Sequence, residues 1–535
     1  MAAPIYTTDL VDITTAETLT GWSALGGGAA ALSDETDYYI QGNQCVSKAG
    51  FTATEKGIIF SAGATTITAG DAVYLWAKQN NRNLMDTQAL GGTQFVVGSG
   101  TNAYDHYYID GSDSEGSALA GWRIYAVDPT TTPSTTTGNP NATDFFGVLW
   151  KILGSGSLKG SPNGIDVIRH GRELRITDGD LANGYATFAG AAAFDADTTR
   201  AWGLLTPIQG GNLFHGHLVL GQAGTPVDFR DSNRSIIVLD DTFLSSTFNE
   251  ISIVDASSNV EWTGITLSHL GTTSPTVLNL NVGTFVGRNC RFSRAGITTF
   301  SSGQICTGSA WEVCGQVVAG GAILTNSSIS GYEGTANTSS MLYNVAADPD
   351  GELDGMSFEK GTAATHSIEF GTTSPLTMTL RNCDFIGYNA SNNVNDSLFH
   401  IKRTTGTVTI NLVGCSTDTA FSYRTDGATV VFVIDPVTTL IKVVDATTKA
   451  NLVGARVLIQ AAAGGPLTAG DTIISGATDA NGEITDSRTL AANQPITGRV
   501  RLSTTPGDLY KTGDVVGTIN SLSGFSTTVQ LIPDE

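Results

Sequence analysis

The chain has 535 residues, with 28 Lys or Arg against 50 Asp or Glu and a net charge of −22. Its cations are too few and too scattered to displace counterions from a nucleic acid, and no apolar run is long enough to span a bilayer. Only 15% of residues are charged, and Gly (63 residues) and Thr fill the gap, which favours turns and β-branched strands over helices.

The opening MAAPIYTTDL has neither a basic nor an apolar signal-peptide region, so synthesis in a cytoplasm is expected. Residues 1–127 alternate apolar and polar in short runs such as GIIFSAG (57–63), DAVYLWAK (71–78) and GWRIYAVD (121–128). Gly, Asn and Asp turns separate them, the pattern of a jelly-roll-like β-sandwich. Residues 128–143, DPTTTPSTTTGNPNAT, hold nothing to bury and read as a surface loop or linker. With the Ala-rich stretch near 185–203 they form a connector and cap over 128–210.

Residues 211–435 repeat themselves. GTTSP occurs at 271–275 and 371–375, and RNC occurs at 288–290 and 381–383. A four-residue unit begins with Asn or Gly, followed by a buried, a polar and a second buried position. It appears as GITL (264–267), NCRF (289–292), NSSI (326–329), GMSF (355–358), NCDF (382–385) and GCST (414–417). The mean step between these starts is roughly 30 residues, one coil of a right-handed parallel β-helix whose equivalent residues stack into ladders. Both GTTSP copies are expected at the same corner. Cys290, Cys383 and Cys415 become one internal ladder beside Phe292, Phe358 and Phe385. No CxxC occurs; Cys306 and Cys314 could pair, but buried thiols fit a reducing cytoplasm better.

From Pro436 onward strands return. GATDANGEITD (476–486) reads as a hairpin with Asn481-Gly482 in a type I′ turn. Val443, Asp445, Thr447, Leu452, Gly454, Ala455, Val457, Thr478, Asp479, Asn481 and Gly482 resemble the carboxypeptidase-regulatory-like immunoglobulin domain. That resemblance implies a small sandwich over 436–535, used as a spacer or adhesive module.

Nucleophile elbows, phosphate loops, metalloprotease helices and dinucleotide fingerprints are all missing, so no catalytic set and no cofactor are expected. The acidic run DPDGELDG (348–355) places Asp348, Asp350, Glu352 and Asp354 at alternate positions. A solvated turn is the plain reading. Asp348, Asp350 and Asp354 partly resemble a calcium loop without its closing Glu, and paired acids could cleave glycan. His215 and His217, two apart in LFHGHLVL, would share one face of a strand. Alone they make an incomplete metal site, and in a trimer three pairs would offer six nitrogens; a satisfied surface or interface pair is the plain reading. Asp178 and Asp180 form a similar turn pair.

The order sandwich, coils, sandwich resembles tailed-bacteriophage virion proteins. The resemblance implies a non-enzymatic structural protein, a capsid decoration or tail fibre, assembled in the host cytoplasm and displayed on the virion. Its first sandwich would anchor to capsid or tail components. Its coils would associate as a homotrimer and meet host surface glycans. The alternative is a receptor-binding tailspike that cleaves glycan, which needs paired carboxylates and exposed aromatics along the coils.

Overall fold

The computed structural model describes residues 4–26, 31–37, 39–48, 55–79, 85–111, 122–151, 163–178, 185–195, 203–238, 243–244, 248–271, 275–490, 492–502, 509–521 and 524–534. Strands dominate, and one α-helix, Phe188–Asp195, occurs among the described residues. The fold is all-β. Two compact units divide the chain, Met1–Thr299 and Phe300–Glu535.

The first unit opens with two antiparallel sheets. One runs in the order Trp122–Val127, Ala72–Lys78, Asn163–Gly171, Cys45–Lys48, Leu32–Glu35. The other runs Thr135–Thr137, Ala103–Asp110, Thr93–Gly100, Phe145–Trp150, Lys56–Ser61, Trp22–Leu25. Val46, Leu75, Phe95, Val148, Trp150 and Ile165 bury their side chains between them. The sandwich therefore runs to Gly171 and not to residue 127. Phe145–Trp150 sits between Lys56–Ser61 and Thr93–Gly100, so the Thr/Pro stretch joins two strands of one domain. Part of that stretch, Thr135–Thr137, is itself a strand, paired to Ala103–Asp110.

Asp166 sits wholly buried in this sandwich, its Oδ2 accepting from the backbone N–H groups of Ile40 (2.6 Å) and Gln41 (2.9 Å). Burial pushes its carboxyl up to about 7 against those two hydrogen bonds. A carboxyl raised in the folded state binds its proton more tightly there than in the unfolded chain. Its contribution is complete below the ordinary aspartate range and is lost as pH climbs through about 7. Thermal melts should therefore show the Asp166→Asn variant gaining on the parent between pH 4 and pH 8, by up to about 4 kcal/mol. Parallel pH curves for the two proteins would contradict this.

Parallel coils begin at Glu173–Thr177, which pairs in register with His217–Leu220. In the first unit three parallel sheets form. The first stacks Glu173–Thr177, His217–Leu220, Glu250–Ile253, Val277–Asn279 and Thr298–Thr299. The second stacks Gly211–Phe214, Ser235–Val238, Thr266–His269 and Arg291–Ser293. The third stacks Asp228–Ser232, Asn259–Thr263 and Thr284–Arg288. The helix Phe188–Asp195 sets Phe188 against the coil interior, edge-on to Phe229 at 4.9 Å and against Trp262 at 5.7 Å.

The second unit follows the same plan. Ser339–Tyr343, His366–Phe370, Phe399–Ile401 and Tyr423–Thr425 form one wall. Ala310–Glu312, Ser328–Tyr332, Ser357–Lys360, Asp384–Ile386 and Ser416–Thr417 form a second. Thr377–Arg381, Thr407–Val413 and Thr429–Ile434 form a third.

The Asn/Gly position of the repeat has a backbone cause. Asn233, Gly264 and Asn289 in the first unit, and Gly308, Asn326, Gly355, Asn382 and Gly414 in the second, all have φ between 51° and 71°. Gly adopts that left-handed bend freely, and Asn does so at lower cost than other side chains. A Cβ at Gly355 or Gly414 would also lie 2.6 Å from the Oδ1 of Asn326 or Asn382. The longest step, from Asn289 to Asn326, hides one corner at Gly308 and splits there into two short coils of nearly equal length. Inside, Cys290, Phe292, Phe358, Cys383, Phe385 and Cys415 are all buried, and Phe358 stacks on Phe385 at 5.3 Å. All six cysteines are free thiols, Cys306 and Cys314 included.

The two GTTSP copies do not share a corner. Residues 271–275 precede the wall strand Val277–Asn279, whereas residues 371–375 follow the wall strand His366–Phe370. Residues 272–274 lie outside the described residues. The RNC copies are equivalent, each closing a third-wall strand and opening a second-wall strand.

A second sandwich ends the unit. Val437–Asp445 lies between Glu483–Arg488 and Phe525–Leu531 in one sheet; Arg456–Ala461, Thr472–Ala477, Gln494–Arg501 and Gly513–Ile519 make the other. The expected hairpin is corrected here, because Thr472–Ala477 and Glu483–Arg488 belong to different sheets. Gly482 N–H donates to Asp479 O at 3.0 Å, and only Gly482 of the Asn-Gly pair has positive φ. That rules out a type I′ turn centred on Asn481-Gly482, which needs both at positive φ.

Candidate functional site

The histidine pair comes apart at a corner. Gly216 (φ 83°) ends one strand direction and starts another, so His215 turns inward and His217 outward. His215 is 2% exposed, packs edge-on against Tyr74 at 5.9 Å, and is pushed down to about 3 by burial. His217 lies in register between Glu173 and Glu250, its Nε2 3.6 Å from Glu250 Oε2. The two imidazoles therefore cannot face one metal together. Asp178 has φ 54°, consistent with a turn; Asp180 lies outside the described residues.

On the third wall of the first unit, Arg230 reaches Asp228 (3.0 Å) and Glu261 (3.3 Å), with its guanidinium 4.4 Å from the exposed Tyr185 ring. Paired carboxylates and an exposed aromatic do occur, but one arginine is bound to both acids.

The acidic run 348–355 is organised by the next coil. Asp348 Oδ1 accepts from the Thr379 N–H at 2.7 Å and the Asp350 N–H at 3.2 Å. Asp350 receives a two-pronged contact from Arg381, 2.6 Å from Nε and 3.1 Å from Nη2, which holds its carboxyl below the usual range. Asp354 Oδ1 accepts from the Gly351 N–H at 3.1 Å. These three carboxylates thus accept separately from backbone and guanidinium donors. Among the described residues no group of three or more His, Cys, Asp or Glu is arranged to hold a metal.

The residue that stands apart is Glu352. It is half-buried, and burial raises its carboxyl above the ordinary glutamate range; the Tyr343 hydrogen bond opposes this and the Asp348 charge adds to it. Tyr343 is itself buried, with its hydroxyl 2.8 Å from Glu352 Oε2 and 3.0 Å from Ala347 O. One phenolic hydrogen cannot serve both acceptors. A proton on Glu352 resolves the conflict, since its O–H then donates to Tyr343 Oη while Tyr343 donates to Ala347. The turn thus juxtaposes a carboxyl disposed to keep its proton with carboxylates held by hydrogen bonds, the division of labour acid–base cleavage requires. Sequence reasoning named the acidic neighbours but gave Glu352 no separate role. The one-coil offset of 31 residues from Asp348 to Thr379 and from Asp350 to Arg381 was the available signal.

The chain matches no known family and no curated protein. Among solved structures it is similar to the catalytic domain of a GH87 alpha-1,3-glucanase in complex with nigerose, with 10% identity, TM-score 0.18, and coverage of 80% of this chain and 97% of that one. The catalytic unit of the GH87 alpha-1,3-glucanase from Streptomyces thermodiastaticus strain HF3-3 gives 11% identity, TM-score 0.15, and coverage of 78% and 97%. The Endo-D glycoside hydrolase domain from Streptococcus pneumoniae R6 gives 8% identity and TM-score 0.18; the match spans 28% of this chain and 22% of that domain. These neighbours correct the expectation of a non-enzymatic virion structural protein: they are glycoside hydrolase domains, and none is a capsid or fibre component. The chemistry below is read from this chain's own residues.

Proposed function

We propose that this chain is a glycan-cleaving protein whose proton donor is Glu352. The observation that carries the reading is the Tyr343 hydroxyl set between Glu352 Oε2 and Ala347 O, where a proton on Glu352 gives each side a full hydrogen bond. In the reaction, Glu352 gives its proton to the glycosidic oxygen as the bond to the anomeric carbon breaks. Asp348, on the same turn, takes a proton from the attacking water, whose oxygen joins the anomeric carbon. One water is consumed for each bond cleaved, and both chain ends leave neutral. The direct test is the appearance of new reducing ends when the intact chain is incubated with bacterial surface polysaccharides. Their absence across such a panel would overturn the reading.

The domain order, similar to that of tailed-phage spikes, supports placing the protein on a virion, where cleavage would accompany host recognition. Three copies per assembly follow from the same likeness. Light scattering on the purified chain should then give three times the monomer mass; a monomer at micromolar concentration would contradict it.

A further inference from the structure

The third wall of the second unit presents an outward face that its turn chemistry does not use. In register across three coils stand Thr377, Thr409 and Val431, with Thr407 and Asn411 beside Thr409, and Val433 beside Val431. Inward positions of the same strands, Met378, Leu380, Val408, Ile410 and Leu412, fill the core. Val431 and Val433 are 42% and 49% exposed. The charged outward side chain of these strands, Arg381, is already bound to Asp350.

The face adjoins the acidic turn directly. Thr379 N–H reaches Asp348, and Gly355 N–H donates to Arg381 O at 2.9 Å. We propose that this Thr/Asn/Val face is a saccharide-binding platform that delivers a neutral glycan chain to Glu352. The inference rests on the glycan-cleaving reading above.

Size argues for a saccharide over a second copy of the chain. Three coils about 4.8 Å apart and seven residues of about 3.3 Å rise give roughly 300 Å². A stable protein interface takes about 800 Å² from each partner. Chemistry argues for a sugar as well. Threonine hydroxyls and an asparagine amide donate and accept hydrogen bonds, as sugar hydroxyls need, while the two valines suit the C–H face of a ring. Charge selects a neutral one. Asp348 and Asp354 border the face in a chain of net charge −22, so a uronate or phosphate polymer is repelled.

The test uses the full chain carrying Glu352→Gln, so that bound polymer is not consumed. Retention is measured on immobilised dextran, a mixed-linkage glucan, a mannan and polygalacturonate, before and after adding Thr409→Lys with Val431→Lys. The expected result is retention on at least one neutral polymer, none on polygalacturonate, and at least a tenfold loss in the lysine variant at unchanged circular dichroism. Unchanged retention in the lysine variant, preference for polygalacturonate in the parent, or no retention on any neutral polymer would overturn the platform. So would a change of assembly mass on lysine substitution, which would mark the face as a contact between copies. If the wild-type chain cleaves glycan and the lysine variant cleaves equally well, the platform fails and the hydrolase reading stands. If the platform binds but the wild-type chain cleaves nothing, the hydrolase reading fails alone.

Discussion

Glu352→Gln is expected to lower glycan cleavage by between about a hundredfold and ten-thousandfold, the usual worth of a positioned general acid. Glutamine keeps the volume and a hydrogen-bonding partner for Tyr343 but has no proton to give. Binding should persist while turnover is lost, which separates a missing acid from a collapsed turn. The pH dependence has a defined sign. Glu352 acts in its protonated form, and its carboxyl is raised, mainly by burial. Cleavage by the parent should therefore continue above the ordinary glutamate range and fall as pH rises through the raised value. Asp348→Asn should remove the proton acceptor and also the charge that helps raise Glu352, moving the fall in rate to lower pH. A Glu352→Gln protein with parental activity would remove this residue from the mechanism.

Cys383→Asp should be the most damaging single change to stability. Cys383 is 1% exposed, with Sγ donating to Leu353 O at 3.3 Å, and both the Cys415 thiol and burial push its thiol up. The ladder around it is thiol, Met356 and phenyl ring, with no cation among the described residues there to pair a carboxylate. An uncompensated buried charge costs on the order of 3–5 kcal/mol, a large share of a typical folding free energy. Cys383→Ser should cost far less, because serine retains a donor for Leu353 O. Urea titration followed by circular dichroism checks both. Native Cys290 and Cys383 should also resist alkylation until the coils unfold, and rapid labelling of either would contradict their placement.

What the sequence revealed follows from how strongly each residue type constrains the backbone. The corners were legible because a left-handed bend favours Gly and Asn, so they recur at the corner before one second-wall strand after another. Gly308 escaped because GSAW offers no polar third position and because two short coils summed to a plausible single step. The first sandwich outran its expected end because a Thr/Pro stretch reads the same as a loop within a domain and as a linker between domains. His215 and His217 separated because Gly216 turns the chain, and period-two reasoning holds only within one strand. GTTSP recurred at unlike corners, so an identical string did not mark an equivalent place. At the candidate site the acidic run was visible, but the rise of Glu352 was not. That rise depends on burial and on Asp348, acting against a hydrogen bond from Tyr343, nine residues away in sequence.

The most direct test of the account is cleavage in water enriched in ¹⁸O, with the products weighed by mass spectrometry. Hydrolysis by Glu352 and Asp348 predicts one ¹⁸O at each new reducing end, and none of this product from the Glu352→Gln protein. Intact polymer, or fragments carrying an unsaturated end and no ¹⁸O, would contradict it.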